Sequence, residues 1–326
     1  MIFRLVNTAV LLLSFLLISQ AVFASFKLDG LEVPDLATAL KQAKTGSVID
    51  IGAGEFQQAG VLKKNDVHIR GVKGKTKFHS KTIQGKGLFV IKANNTIIEN
   101  IECFNVKVRD ANGACVRLEG KNLTLKNVYF HDSQQGILTS SKPGQVLISE
   151  SKFERLGKAG RAHGIYIGGG SLVIENSQFL SSRDQGHEIK SRASSTLIKN
   201  STIASLNGND SRLVDIPNGG ILEIYDSVLQ QGPKSVNWNL IGYGLEGHRY
   251  KENRIELKGN IFILERVKGN LVLQMKKQTI KHVVEENAFI GKMKDSFNDS
   301  NFFFKSRKSA GIKPFPSLPS TVQTSN

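Results

Sequence analysis

The sequence is short of cysteine, of tryptophan, of acidic residues and, beyond its first two dozen residues, of long apolar runs. Two cysteines, Cys103 and Cys115, occur in 326 residues, too few for a disulfide framework. Cys103 falls where other repeats carry Phe or Ile, which favours a buried apolar thiol. A Cys103–Cys115 bridge is the alternative that an oxidising compartment would permit. Acidic residues number 28 against 44 Lys and Arg, a formal charge of +16. A chain this basic calls for an acidic partner: an anionic polysaccharide, an anionic membrane surface or nucleic acid. After the N-terminal segment no stretch is long and apolar enough to span a bilayer, so no integral membrane segment is expected there.

That segment reads as a signal peptide, residues 1–24. Met1–Arg4 is a short basic start, Leu11–Ile18 is apolar, and Val22-Phe23-Ala24 is a cleavage-site pattern. Cleavage would begin the mature chain at Ser25 and place it in the periplasm or outside the cell. A retained membrane anchor is the alternative.

Next comes a helix signal over residues 34–46, PDLATALKQAKTG, with Asp35 as N-cap and Gly46 as stop. Such a short apolar helix suits a cap over the open end of a stacked structure. A phrase then recurs at Asn95–Cys103, Asn122–Phe130, Gln145–Phe153, Ser171–Phe179, Ser195–Ile203 and Ile221–Leu229. Its sixth residue is Asn100, Asn127, Glu150, Asn176, Asn200 and Asp226, at spacings of 27, 23, 26, 24 and 26 residues. Strand-like alternation at that period indicates a β-solenoid, and the missing helical stretches between strands exclude a leucine-rich repeat. The asparagines are expected in tight turns, stacked and bonded to backbone.

Each coil has a second short strand. Alternation turns Val116, Ile137, Ile165, Ile189 and Val214 inward, and Arg117, Leu138, Tyr166, Lys190 and Asp215 outward in one row. His163 and His187 stand three residues before Tyr166 and Lys190. Residues 232–250 break the period; Asn260 is the expected equivalent after Asp226, 34 residues on. The inserted stretch holds the one tryptophan, Trp238, with Tyr243, Glu246, His248 and Tyr250. Loops that leave a repeat usually sit on the binding face. Trp238 either stacks on sugar or plugs the core there. The expected division is a β-helix domain over residues 25–292 and a polar, partly disordered tail over residues 293–326.

These features resemble the right-handed parallel β-helix proteins of the pectate-lyase-like superfamily. The likeness covers about residues 34–290. It lies in the short helix, in GAGEF after the first strand and in the repeated h-x-h-x-N-S-x-F phrase. It continues in HGIYIG, GHEIKSRA and IPNGG, and in the GP…NW.LI.YG.EG run, Gly232–Gly247. It implies an all-β, single-stranded right-handed parallel β-helix with an N-terminal capping helix, expected to be monomeric. The aspartate cluster of polygalacturonase-like hydrolases and the calcium-binding aspartates of pectate lyases are missing. Glu188-Ile189-Lys190-Ser191 is partly similar to the strand of chondroitin- and alginate-type lyases in which a lysine is the base.

The expected function is therefore action on an acidic polysaccharide, not nucleic acid, by removal of the carbon-5 proton of a uronate, as a lyase or an epimerase. That chemistry needs cations at the carboxylate, a base and an acid. Lys190, His187, His163, Tyr166 and Arg192 are the candidate catalytic residues. Arg212, Asp215, Trp238 and Tyr243 are candidate substrate contacts. Asp184 and Glu188 are candidate ligands for Ca²⁺, though no cofactor is required by the sequence. The alternative is a non-catalytic module for anionic glycan or a cell-surface polymer.

Overall fold

The apolar alternation and its polar interruptions together wind the chain. At the sixth position of the phrase the backbone turns left-handed: φ is 59° at Asn100, 49° at Asn127, 51° at Glu150, and 48° at Asn176, Asn200 and Asp226. Asn and Asp tolerate this region better than other residues with a side chain, and one such residue per coil makes a sharp corner. The computed structural model describes residues 25–277 and 279–321. The expected signal peptide, residues 1–24, lies outside them. Among the described residues no helix is long and apolar enough to cross a membrane.

The coils, about nine in number, stack into three sheets of 12, 11 and 9 strands. Pairing between coils is parallel throughout; the one antiparallel addition is Phe26–Leu28, which pairs with Leu31–Val33 and with Val48–Ile51. The third sheet carries Ala114–Leu118, Gln135–Thr139, Ile165–Ile167, Ile189–Ser191, Val214–Ile216 and Asn239–Tyr243 in successive coils. Ile101, Val128, Phe130, Phe153, Phe179 and Ile203 are all buried, as the phrase requires. Phe153 and Phe179 stack with ring centroids 4.7 Å apart, one coil above the other.

The turn asparagines do less backbone bonding than expected; the position after them does it. Val128 N–H donates to Ser151 Oγ, Ser151 to Ser177, Ser177 to Ser201 and Ser201 to Ser227, each at 3.1 Å. Ser227 N–H continues to Asn260 Oδ1 at 3.0 Å, Asn260 to Asn287 at 2.9 Å and Asn287 to Asn301 at 3.1 Å. This ladder corrects the expected register. Asn260 pairs with the serine row, and Tyr225↔Lys258 sets Gly259, φ 69°, opposite Asp226.

The helix spans Leu36–Gln42, shorter than the pattern suggested. Asp35 Oδ1 accepts Thr38 N–H at 2.7 Å at its start. It stops because Ala43 is already extended, at φ −50° and ψ 142°, and Lys44 N–H turns to Ser47 Oγ. Leu36, Ala39 and Leu40 are buried. Beyond residue 292, Phe302–Phe304 pairs with Ala288–Ile290 and adds a last strand to the second sheet.

Cys103 and Cys115 are bridged, with Cα atoms 6.0 Å apart. The expected free apolar thiol is corrected here. Cys103 does occupy the core position of its phrase, but Cys115, second in the next sheet's strand Ala114–Leu118, meets it across the corner.

Candidate active site

Strand pairing sets Tyr166 beside Lys190 and Lys190 beside Asp215, on the outer side of the third sheet. Gly242 follows Asp215 in the row. Three residues earlier in each coil a second row runs His163, His187, Arg212 and Asn239. Two rows three residues apart thus bring aromatic, cationic and acidic groups onto one patch.

Asp215 is the hub. Its Oδ2 lies 3.3 Å from Lys190 Nζ and 3.5 Å from His187 Nε2, and its Oδ1 lies 3.2 Å from Arg212 Nη1. So enclosed, Asp215 is 3% exposed. Its expected role as a substrate contact is corrected: it holds three side chains and presents little to solvent. Arg212 lies flat across the next coil because Gly242 has no side chain. A Cβ there would stand 2.9 Å from Arg212 Nε and 3.1 Å from Asp215 Oδ1.

The histidines are more buried than catalytic acids or bases should be. His163 is 2% and His187 7% exposed, and their rings stack 4.8 Å apart. His163 Nδ1 accepts His187 N–H, and His187 Nδ1 accepts Arg212 N–H, each at 3.1 Å. Those bonds place the proton on Nε2 in both neutral rings. Burial holds both rings well below the usual histidine range; the next largest causes are His187 for His163, and Lys190 for His187. Each Nδ1 is thus engaged by the next coil's backbone, and His187 Nε2 faces Asp215.

Tyr166, Lys190, Arg192 and Arg212 are partly exposed on this face, and Glu246 more so. Arg192 follows the strand Ile189–Ser191 and reaches across three coils. Its Nε donates to the Tyr166 hydroxyl oxygen, its Nη1 to Asn218 Oδ1 and its Nη2 to Glu246 Oε2, each at 2.7 Å. Lys190 Nζ lies 5.8 Å from the Tyr166 ring centroid. An arginine donor on the phenol oxygen turns the phenol's own O–H away from the guanidinium, where it can be donated elsewhere.

The remaining candidates lie apart. Tyr243 is fully buried, facing the core, with its hydroxyl donating to Gly220 O. It is not a substrate contact, because strand alternation turns it inward beside Ile216. Trp238 faces the C-terminal segment. Lys294 Nζ is 5.1 Å from its ring, and with Leu271, Met275 and Phe297 it lines a cavity of about 430 Å³. The two expected Ca²⁺ ligands do not share a site. Both Glu188 oxygens are taken by Ser182, at 2.5 Å from its N–H and 2.7 Å from its hydroxyl. Asp184, in the same corner, turns outward to pair with Lys158 Nζ at 2.8 Å. Among the described residues no cluster of three or more His, Cys, Asp or Glu is arranged for a metal ion.

The sequence reading assigned no role to Gly242 or Asn218, and placed Glu246 only in the inserted stretch. Their signal was present in IPNGG and in the Gly-rich run over residues 232–247. Nothing in the repeat said which of those residues would fold back onto Arg192.

No protein-family model matches the chain, and no curated protein matches it. Solved structures do. ORF18 of Geobacillus virus E2 is 12% identical at a TM-score of 0.54, over 83% of this chain and 56% of that one. The tailspike protein gp49 of Acinetobacter baumannii bacteriophage Fri1, a capsular polysaccharide depolymerase, is 11% identical at 0.50, over 83% and 54%. Pectate lyase Pel9A is 13% identical at 0.50, over 81% and 73%. The chain thus spans little more than half the length of the first two. At these identities the likeness is one of fold, and it is the expected one: this chain is a right-handed parallel β-helix of the kind seen in pectate lyase and tailspike structures.

Proposed function

We propose that the chain is a carbohydrate-active β-helix protein that acts on an acidic polysaccharide by removing the carbon-5 proton of a uronate. The observation that carries this is the convergence of Tyr166, Lys190 and Arg192 on one sheet face, with Arg192 Nε 2.7 Å from the Tyr166 hydroxyl. Arg192 meets the uronate carboxylate and stabilises charge that moves onto it as the proton leaves. Lys190 Nζ, once it has released a proton to solvent, takes the carbon-5 proton. In a lyase the electron pair enters the carbon-4–carbon-5 bond, the glycosidic carbon–oxygen bond breaks, and Tyr166 protonates the departing oxygen. In an epimerase Tyr166 returns a proton to carbon 5 from the opposite face. Asp215 and Arg212 position Lys190. No step is assigned to Ca²⁺, since Asp184 and Glu188 are engaged separately. Two fold neighbours act on polysaccharides, which supports the substrate class.

The test is incubation with a panel of uronate polymers, followed at the absorbance of an unsaturated uronate and, for inversion at carbon 5, by NMR. The parent should turn over at least one polymer, and Lys190→Ala should lower that rate by about a thousandfold with the folded structure retained by circular dichroism. Full activity in Lys190→Ala would sink the assignment. The burial of both histidines favours the second reading, a binding module without turnover. That reading expects no product from any polymer and a modest, salt-dependent loss of affinity in Lys190→Ala.

Export is part of the same proposal. A bridged Cys103–Cys115 suits an oxidising compartment, in keeping with a periplasmic or secreted chain. Protein recovered from the host should begin at Ser25; soluble protein retaining Met1 would contradict it.

A further inference from the structure

Lys190 and Arg192 share an acidic partner that does not belong to the sheet. Glu246 Oε1 lies 3.7 Å from Lys190 Nζ, and Glu246 Oε2 lies 2.7 Å from Arg192 Nη2. The two acids of the patch differ in kind. The Asp215 side chain is 4% exposed and wedged among three partners, whereas that of Glu246 is 48% exposed on a turn. The turn itself is tied down. Glu246 N–H donates to Pro217 O at 3.0 Å, Arg249 N–H to Asn218 O at 2.9 Å, and the Tyr250 hydroxyl to Arg192 O at 2.5 Å. Rotation about the Glu246 side-chain bonds therefore moves its carboxylate out while the loop stays in place.

The charges show what that carboxylate does. Lys190, Arg192 and Arg212 face Asp215 and Glu246. Asp215 compensates Arg212 and part of Lys190, but Arg192 has Glu246 as its one ionic partner among the described contacts. A uronate carboxylate has the same two oxygens and the same charge, and the place that fits it best is already filled by Glu246.

On the reading above, that this face takes an acidic glycan, we propose that Glu246 is an internal stand-in for the substrate carboxylate. It occupies the Lys190–Arg192 seat in the free protein and is displaced when a uronate arrives. The exchange keeps two neighbouring cations compensated when the site is empty. It also lowers affinity by the work of displacement, because a ligand must compete with a tethered copy of its own charged group. Lower affinity favours product release.

Titration calorimetry with uronate oligosaccharides prepared from polygalacturonate and from alginate, and with a neutral cello-oligosaccharide of equal length, tests this. The chains compared are the parent, Glu246→Gln, Glu246→Ala and Arg192→Ala. Both Glu246 variants should bind a uronate oligomer about tenfold more tightly than the parent, the equivalent of one charge-assisted contact no longer broken. The neutral sugar should bind no better. If the parent binds and the Glu246 variants bind equally or more weakly, or if the neutral sugar gains as much, Glu246 is not a stand-in and the proposal falls while the acidic-glycan reading stands. If no chain binds any uronate oligomer, or Arg192→Ala binds as the parent does, the acidic-glycan reading itself fails and takes the proposal with it.

Discussion

Single residues in this site are tuned by burial, and the tuning runs in two directions. His163 and His187 are held neutral by burial, so their folded-state values lie below the unfolded 6.5. Their contribution to stability is intact above about pH 6.5 and is lost as pH falls below it, because the unfolded chain then binds protons that the folded one does not. Glu188 and Asp210 are buried in the corners that lead into successive strands of the third sheet. Burial raises both, and Asp210 reaches about 7 from 3.8. Their sign is opposite: the folded chain keeps a proton, so stability is full below about pH 4 and is lost as pH rises through 7. Asp210→Asn removes the second cost. It should melt above the parent at pH 8, by on the order of 2 kcal/mol, with the gap closing toward pH 4. A variant equally or less stable than the parent across that range would refute the assignment. Part of this was legible in the sequence: strict alternation turns His163 inward and favours a satisfied structural histidine there, while His187 looks like a reactive group. Alternation says which way a residue points, but not whether its ring nitrogens are already occupied by the next coil's backbone.

Strands and turns were read with more success, and the failures have a common cause. Tyr166, Lys190 and Asp215 align as expected because Ile165, Ile189 and Val214 must all face the core, which fixes their successors. The insertion was a different matter. Arg192 and Glu246 are 54 residues apart, and no period links them. The register after the insertion was misjudged by one residue for the same reason, since Asn260 resembles the turn asparagines but serves the serine ladder. Gly242 belongs to this scale too. It leaves an empty position in the row of outward residues, between Asp215 and Gln274, into which Arg212 folds. Gly242→Ala should push Arg212 off Asp215, costing about 1 kcal/mol of stability and tenfold or more in turnover. Chemical denaturation and steady-state rates on the same preparation check both numbers. Unchanged turnover would mean that Arg212 does not help to position Lys190.

Across the whole molecule, the ladder from Val128 through Ser151, Ser177, Ser201, Ser227, Asn260 and Asn287 to Asn301 has a consequence for heredity. Every rung passes one backbone proton to a side-chain oxygen of the following coil, so adjacent coils are interchangeable parts with identical couplings. Edits to the gene should therefore be tolerated in whole-coil quanta. Excision of residues 177–200 joins Asn176 to Ser201 and offers Ser151 N–H the oxygen of Ser201 in place of Ser177. Excision of residues 177–188 joins a turn of one sheet to the start of a strand in another and leaves that proton without an acceptor. The longer deletion should give a shorter solenoid that still melts cooperatively, without His187, Lys190 or activity, while the shorter one should aggregate. Aggregation of both would show that the coils are not equivalent. A lineage built this way can change its length readily, one turn at a time, and is free to redesign the face that any single turn presents.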